Sequence, residues 1–236
     1  MKRLFDILTA LTALCFLAVP FVVVILILRL TGEGNVWYRQ ERIGYKGKIF
    51  RVFKFVTMRV GSEFKGNKDI TVRGDPRILP VGRILRMTKL NELPQVLNVL
   101  IGDMSIVGWR PLVPRGFYDY SEDIQRQIVQ TKPGITGIGS IIFRDEEAIV
   151  TEAGEMGKDL HACYREDILP YKGTVEMWYG QHQNIWVDFK IILATAWAII
   201  APGGIDPRNW FNGLPEPDSA LVRKHVFPTD RKQTAP

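Results

Sequence analysis

From Ile7 to Leu28 the chain carries no charged residue: ILTALTALCFLAVPFVVVILIL. No other feature limits the fold as strongly. A run of this length suffices for a helix of about 20 residues, enough to cross a bilayer core of about 30 Å. It exceeds the apolar region of about 7–15 residues in a signal peptide, and no A-x-A-like cleavage site follows it. Pro20 interrupts its middle, where the missing N–H and the ring favour a kink. Cations flank both ends: Lys2 and Arg3 before, Arg29, Arg39 and Arg42 after. The positive-inside preference is met on both flanks if the segment enters, turns at Pro20 and returns to the same face. A re-entrant, Pro-broken helix is the preferred reading, and a kinked span is the alternative.

The remainder reads as a folded domain. The net charge of +6 and the pI of about 9.3 suggest an anionic partner: anionic lipid, a phosphorylated substrate or nucleic acid. Cys15 lies in the apolar run and Cys163 in a polar context, so no disulfide framework is expected and the globular part reads as cytoplasmic. Tyr38–Arg42 and Lys48–Met58 alternate as short strands, with Gly44 and Gly47 marking the turn between them. Residues 61–80 read as a loop, and Gly82–Leu85 as a helical turn. Leu90, Leu93, Leu97 and Leu100 form a single helical stripe that Gly102 ends. A second helix is predicted near Ser121–Gln130, and residues 144–168 read as helical. Asn184–Pro202 is amphipathic in its first half and apolar in its second. With Trp178, Trp186 and Trp197 nearby, it suits an interfacial helix, the alternative being a core helix.

These readings give an α+β class: a mostly helical small globular domain with short strands, on an N-terminal re-entrant membrane helix and an interfacial amphipathic helix. Residues 1–32 read as the anchor and 33–202 as the main domain, including the interfacial helix 184–202. Residues 203–236 read as a loosely ordered tail.

The stretch TKLNELPQVLNVLIGDMSIVGWRP holds the chemistry. Thr88 or Asn91 can cap a helix, Pro94 suits its first turn, and Glu92 sits where the helix dipole is positive. The bland reading is a cap with a first-turn acid. Against it stand the cations around the pair: Arg73, Arg77, Arg83, Arg86 and Lys89 before, Arg110 and Arg115 after, with Lys132 opening KPGITG. Cations beside Gly and Pro turns with free backbone N–H groups suit phosphate. A carboxylate among them suits a divalent metal shared with a diphosphate. No Walker A, G-x-G-x-x-G, zinc-spaced or G-x-S-x-G pattern occurs. His161, His182 and His225 are scattered and receive no role.

On these segments the chain resembles the bacterial sugar transferases of the monotopic phosphoglycosyl transferase family. KRLFDI leading into the Pro-broken segment, RQERIGYKGKIFRVFKFVTM, ILRMTKLNELPQVLNVLIGDMSIVGWRP, KPGITG and WVDFKIIL all match in order, over about residues 1–200. The resemblance implies transfer of a phosphosugar from a nucleotide-diphosphate sugar, usually a UDP-sugar, to polyprenyl (undecaprenyl) phosphate. The nucleoside monophosphate is released. This initiates glycan or exopolysaccharide assembly at the cytoplasmic face of the bacterial inner membrane, on a monotopic protein. It implies Mg²⁺ as cofactor and membrane lipid as a partner, with no nucleic acid. A homo- or hetero-oligomer is left open. Carried over by motif, Glu92 is the metal-holding and catalytic glutamate. Lys54 is the lysine of the KFRTM-type motif. Arg110 is the arginine of the GPRP turn. Arg86 and Lys132 join it as phosphate ligands, and Pro20 is the helix break.

The departures are specific. The nucleophile position, an aspartate in the family, is Asn91. The GPRP turn reads GWRP, with Trp109. Val19 precedes the membrane proline, Val56 replaces a cation in KFVTM, and Ile138 follows PGITG where a Trp is usual. A neutral amide is a far weaker nucleophile than a carboxylate. One reading is an active phosphoglycosyl transferase in which Glu92 attacks phosphorus, or the acceptor phosphate attacks directly. Another is a catalytically inactive homologue serving as partner or regulator of an active one. A membrane-anchored basic binding protein is the least favoured.

Overall fold

The computed structural model describes residues 1–31, 34–62, 75–200 and 206–227. It is helical with short strands, as the sequence reads, and the chain divides into two compact units. The first holds Met1–Arg42 and Ile49–Ile106; the second holds Ile43–Lys48 and Val107–Pro236.

In the first unit, α1 (Lys2–Thr31) runs through Pro20 as one helix and takes in the whole apolar run. Its two ends pack and its middle does not. Near the start, Asp6 is buried and accepts from the Ser105 hydroxyl at 2.8 Å and the Ile106 N–H at 3.0 Å. The Arg3 guanidinium donates to the carbonyls of Val99 and Leu100, which end a neighbouring helix. Near the finish, Val24 and Leu28 join a core with Val36, Phe55 and Leu85. Between Ala10 and Val24 no residue is buried, and Phe16 and Val19 are open to the surroundings.

Strands β1 (Trp37–Ile43) and β2 (Ile49–Phe55) pair as a hairpin. The turn uses Lys46 and Gly47 at positive φ, which explains the glycine there. Most of the expected loop, residues 63–74, lies outside the described residues. Helix α2 (Pro80–Met87) is longer than the helical turn expected at Gly82–Leu85. It sits tightly on the chain after β2: a Cβ at Gly82 would overlap the Thr57 carbonyl.

The expected stripe from Leu90 to Leu100 is split. A 3₁₀ turn (Leu90–Glu92) precedes α3 (Gln95–Ile101), which Gly102 closes in the left-handed conformation. Pro94 has no N–H to carry an α-helical ladder back toward Leu90, so the chain tightens ahead of it. Thr88 caps nothing downstream: its hydroxyl donates to the Ile84 carbonyl at 2.8 Å, closing α2. Asn91 makes no cap bond.

The second unit gathers β3 (Ser105–Val107) at its Val107 end, α4 (Pro114–Tyr118), α5 (Glu122–Ile128), β4 (Gly134–Thr136) and α6 (Ile138–Ile142). Helices α7 (Glu146–Glu155), α8 (Leu160–Cys163) and α9 (Leu169–His182) follow, then α10 (Ile185–Ile200) and α11 (Ala220–Val226). Its core includes Ile43, Trp109, Phe117, Tyr120, Ile128 and Leu169. α10 buries Asp188, Ile191, Ala194 and Ala198 and exposes Trp186, Phe189, Leu193 and Trp197.

Residues 206–227 differ from the expected loose tail. Leu221, Val222, Val226 and Phe227 are buried, and α11 packs on α7. Glu152 of α7 meets Lys224 and His225 of α11, each at 2.8 Å. The hydrogen bonds from Lys224 and His225 hold the Glu152 carboxyl below its usual range. The Pro and charge content of the stretch masked four apolar residues at helical spacing.

Candidate active site

In the first unit the site is built on β2 and the 3₁₀ turn. Asn98, fully buried on α3, meets the edge of β2: its Oδ1 accepts from the Phe53 N–H at 2.9 Å and its Nδ2 donates to the Arg51 carbonyl at 2.8 Å. One side-chain amide thus supplies the two bonds a third strand would make. That sets the register of β2 against α3, and Lys54 lies one residue beyond the bolt.

Lys54 Nζ stands 3.3 Å from Glu92 Oε1, with side chains 15% and 13% exposed. A pair this withdrawn from water is screened less than a surface pair and holds Glu92 in one place. Asn91 is buried, and its Oδ1 has no hydrogen-bond partner. A buried carbonyl oxygen without a donor costs roughly 1–3 kcal/mol. That cost is offset if a ligand reaches it. Asn91, Gln95 and Asn98 are all buried and stand at i, i+4 and i+7, a polar stripe beside the leucine stripe.

Arg86 is half-buried on α2. With the Arg77 hydrogen bonds, its charge holds the Asp75 carboxyl below the usual range. Asp75 itself grips Arg77 through both oxygens, at 2.9 and 2.6 Å.

Arg110 and Lys132 belong to the second unit, where glycines interlock their segments. A Cβ at Gly108 would overlap the Lys132 carbonyl, one at Gly134 the Gly108 nitrogen, and one at Gly137 the Gly108 carbonyl. Gly108 N–H donates to Thr136 O and Gly134 N–H to Trp109 O, both at 2.9 Å. Trp109, where the family turn has proline, is buried in the core and donates its indole N–H to the Thr131 carbonyl at 3.0 Å. The substitution replaces a rigid turn residue by an anchor that ties the Arg110 turn to the residue before Lys132.

Beneath Arg110 lie three ionisable residues that motif reading passes over. Lys172 on α9 is buried and pairs with Glu146 at 2.6 Å. Burial works against its charge, but Glu146 outweighs this and raises its pKa. Glu176, one turn on, is buried and accepts a hydrogen bond from the Arg110 backbone N–H. Burial pushes its carboxyl up to about 8. In sequence, Lys172 and Glu176 read as an ordinary i, i+4 surface pair. Only Asn98 had a legible signal, the buried polar stripe.

Comparison with known proteins places the chain in a family. The bacterial sugar transferase family matches residues 1–202. The chain is 34% identical over 209 residues to the Uncharacterized sugar transferase EpsL of Bacillus subtilis, covering 89% of this chain and 92% of that one. It is 36% identical over 217 residues to the Exopolysaccharide production protein ExoY of Sinorhizobium fredii, covering 86% and 87%. It is 33% identical over 199 residues to the UDP-glucose:undecaprenyl-phosphate glucose-1-phosphate transferase of Escherichia coli, covering 83% of this chain but 39% of that one. The chain belongs to the bacterial sugar transferase family.

Proposed function

We propose that the chain moves a phosphosugar from a UDP-sugar to undecaprenyl phosphate at the cytoplasmic membrane face, beginning glycan or exopolysaccharide assembly. The observation that carries this reading is the withdrawn Lys54–Glu92 pair beside the unpartnered Asn91 oxygen, in a chain of this family. The names of relatives from Salmonella typhimurium and Escherichia coli, which give undecaprenyl phosphate as the acceptor, support it.

An oxygen of the acceptor phosphate attacks the sugar-bearing phosphorus. The bond from that phosphorus to the bridging oxygen breaks, and UMP leaves with that oxygen. The amide of Asn91 has no free electron pair suited to this attack, so the route needs no phospho-asparagine. Glu92 as the nucleophile is the other route. In the first unit Lys54 and Arg86 supply charge for the diphosphate; Arg110 and Lys132, in the second unit, keep the phosphate-ligand role that the family resemblance gives them.

Among the described residues, no group of three or more His, Cys, Asp or Glu side chains is arranged to hold a metal ion. Mg²⁺ needs none: it binds through one or two carboxylates with water and substrate phosphate. Glu92 and the unpartnered Asn91 Oδ1 fit that donor chemistry. When bound, Mg²⁺ neutralises charge on the diphosphate.

The exposed middle of α1, with both ends packed on one unit, supports a helix that dips into the membrane and returns. The apolar outer face of α10 supports a second, interfacial contact. The test is UMP release from UDP-sugars with undecaprenyl phosphate and Mg²⁺, for the wild type, Glu92→Gln and Asn91→Asp. Release by the wild type that Glu92→Gln abolishes is the expected result. A silent wild type that Asn91→Asp awakens favours the second reading, a catalytically inactive homologue, which the amide at position 91 itself suggests. Silence in all three overturns the enzyme reading.

A further inference from the structure

The turn between α9 and α10 frames a cavity of about 380 Å³ that the proposed reaction does not use. Rings supply much of its lining. Trp178 and His182 stack with centroids 4.4 Å apart, and Phe211 meets Trp178 edge-on at 6.0 Å. Trp210, Phe211 and Asn212 line it from beyond residue 202, where the family match ends, so part of its wall lies outside the family pattern.

Its polar groups divide into spent and unspent. Asn184 is spent: Oδ1 accepts from the Trp186 and Val187 N–H groups, both at 3.0 Å, and Nδ2 donates to the His182 carbonyl at 2.9 Å. The start of α10 is therefore no anion site by itself. Two donors are unspent. The Trp178 indole N–H is buried without a partner. Lys190 is exposed, and among the described residues no carboxylate pairs with it. No Asp or Glu lines the cavity. Lys190 also ties the cavity to the outer face of α10, because residues three and four apart are neighbours on a helix. It stands beside Val187 of the cavity wall and beside Trp186 and Leu193 of the exposed apolar face.

We propose that this cavity binds the phosphate of an anionic phospholipid headgroup, with Lys190 as counter-ion and the acyl chains along Trp186, Phe189 and Leu193. This rests on the reading of α10 as an interfacial helix. Three features select that occupant. One cation with no carboxylate favours an anion. The aromatic lining suits the level just beneath the headgroups. The apolar face continues from the same lysine, so a charge joined to an apolar tail satisfies both, which a free phosphate does not. Lys190 then lays its stem on apolar surface and keeps its ammonium at headgroup level. An acceptor seated at Trp178 relieves the cost of its unpaired N–H.

The test follows the indoles. Protein with ¹⁵N-indole tryptophan is placed in phosphatidylcholine nanodiscs, and phosphatidylglycerol is added in steps. Trp178→Phe assigns one signal; Trp210→Phe, at a half-buried position, assigns a second and decides the matter if the first variant does not fold. Both signals are expected to shift and saturate, while Trp109 in the core stays still. Lys190→Gln should raise the phosphatidylglycerol fraction at half-saturation about fivefold. Arg126→Gln removes the same charge at an exposed position outside the cavity and should leave that fraction unchanged. Motionless indoles, or a Lys190→Gln curve no weaker than that of Arg126→Gln, overturns the proposal. So does an equal shift with inorganic phosphate in pure phosphatidylcholine, which would make this a soluble-anion site. Saturation by undecaprenyl phosphate at a far lower fraction than phosphatidylglycerol also overturns it, and would make this an acceptor site. The reading of α10 fails separately: brominated lipid then leaves Trp186 and Trp197 unquenched. Quenching there, with motionless Trp178 and Trp210 signals, sinks the headgroup site alone.

Discussion

No motif names Asn98 or Glu176, yet Asn98 bonds the backbone of β2 beside Lys54 and Glu176 accepts from the Arg110 N–H. Asn98→Ala leaves the Phe53 N–H and the Arg51 carbonyl unpaired and opens a small void on α3. The expected loss is about 2–4 kcal/mol, read as a lower midpoint in chemical denaturation. Asn98→Asp keeps the acceptor and loses the donor, so its cost should fall between. If both variants melt like the wild type, β2 is not registered by this side chain. Glu176 gives a stability signature with a definite sign. Its ordinary value is 4.5 and its folded value about 8, so the folded chain binds more protons than the unfolded chain across that window. Stability therefore falls as pH rises from 4.5 to 8, by an amount on the order of 3–5 kcal/mol, and Glu176→Gln removes the fall. Measured at pH 5 and pH 8, the variant should gain on the wild type at the higher pH. The residues Asn91, Glu92, Lys54, Arg110 and Lys132 stand out in the sequence because their spacing follows a known pattern, and of these the structure pairs Lys54 with Glu92. Glu176 does not stand out, because an acid four residues after a lysine looks alike whether α9 is buried or solvated.

At the scale of elements, the N-terminal apolar helix and the hairpin followed from composition and alternation, whereas the site helix did not. The leucine stripe missed both the break at Pro94 and the buried face: Leu90, Leu93, Leu97 and Leu100 are only half-buried, while Val96, Val99 and the polar Asn91, Gln95 and Asn98 are buried. That break sets Glu92 on a tight turn ahead of α3 and facing Lys54 on β2. The start of α1 is fixed to α3 and β3 by polar bonds that hydropathy does not report. Asp6→Ala would strand the Ser105 hydroxyl and the Ile106 N–H, both of which Asp6 now accepts. A loss of roughly 2–4 kcal/mol is expected, with faster proteolysis near the end of α3; unchanged thermal melting would refute it. For α10, Trp186 and Trp197 are 74% and 54% exposed on an apolar face. In vesicles containing brominated lipid, the wild-type tryptophan emission should be quenched, and Trp186→Phe with Trp197→Phe should lose most of that quenching. Quenching that survives the double substitution would place other indoles, and not this helix, at the interface.

For the whole molecule, the deciding quantity is where the two cationic flanks of α1 lie. A helix of 30 residues is about 45 Å long, more than enough to cross a core of about 30 Å in a straight line. Length therefore permits a span. The proposed return to one face rests on the packing of the two ends. Arg3 and Asp6 bind the end of α3 and the residues Ser105 and Ile106, while Val24 and Leu28 pack with Phe55 of β2 and Leu85 of α2, and all of these residues belong to the first unit. A straight span would carry the Arg3–Asp6 end and its polar partners to the opposite side of the bilayer from β2. Isolating that unit's buried Asp6 and Arg3 bonds across a membrane would cost several kcal/mol for each stranded polar group. Both flanks on one face removes that cost and leaves only the residues between Ala10 and Val24, none of them buried, to meet lipid. Cysteines at Lys2→Cys and Lys48→Cys, in a Cys15→Ser background, should thus react with an impermeant maleimide from the same side of inverted membrane vesicles. Cys163 is buried and serves as the internal control for intact folding. Labelling of the two introduced cysteines from opposite sides would mean that α1 spans, and would require the Asp6 and Arg3 contacts to be absent in the membrane. Pro20→Ala sharpens the measurement. If the proline is what lets the helix turn back, this variant should shift part of the Lys2→Cys population to the far side while Lys48→Cys stays where it was.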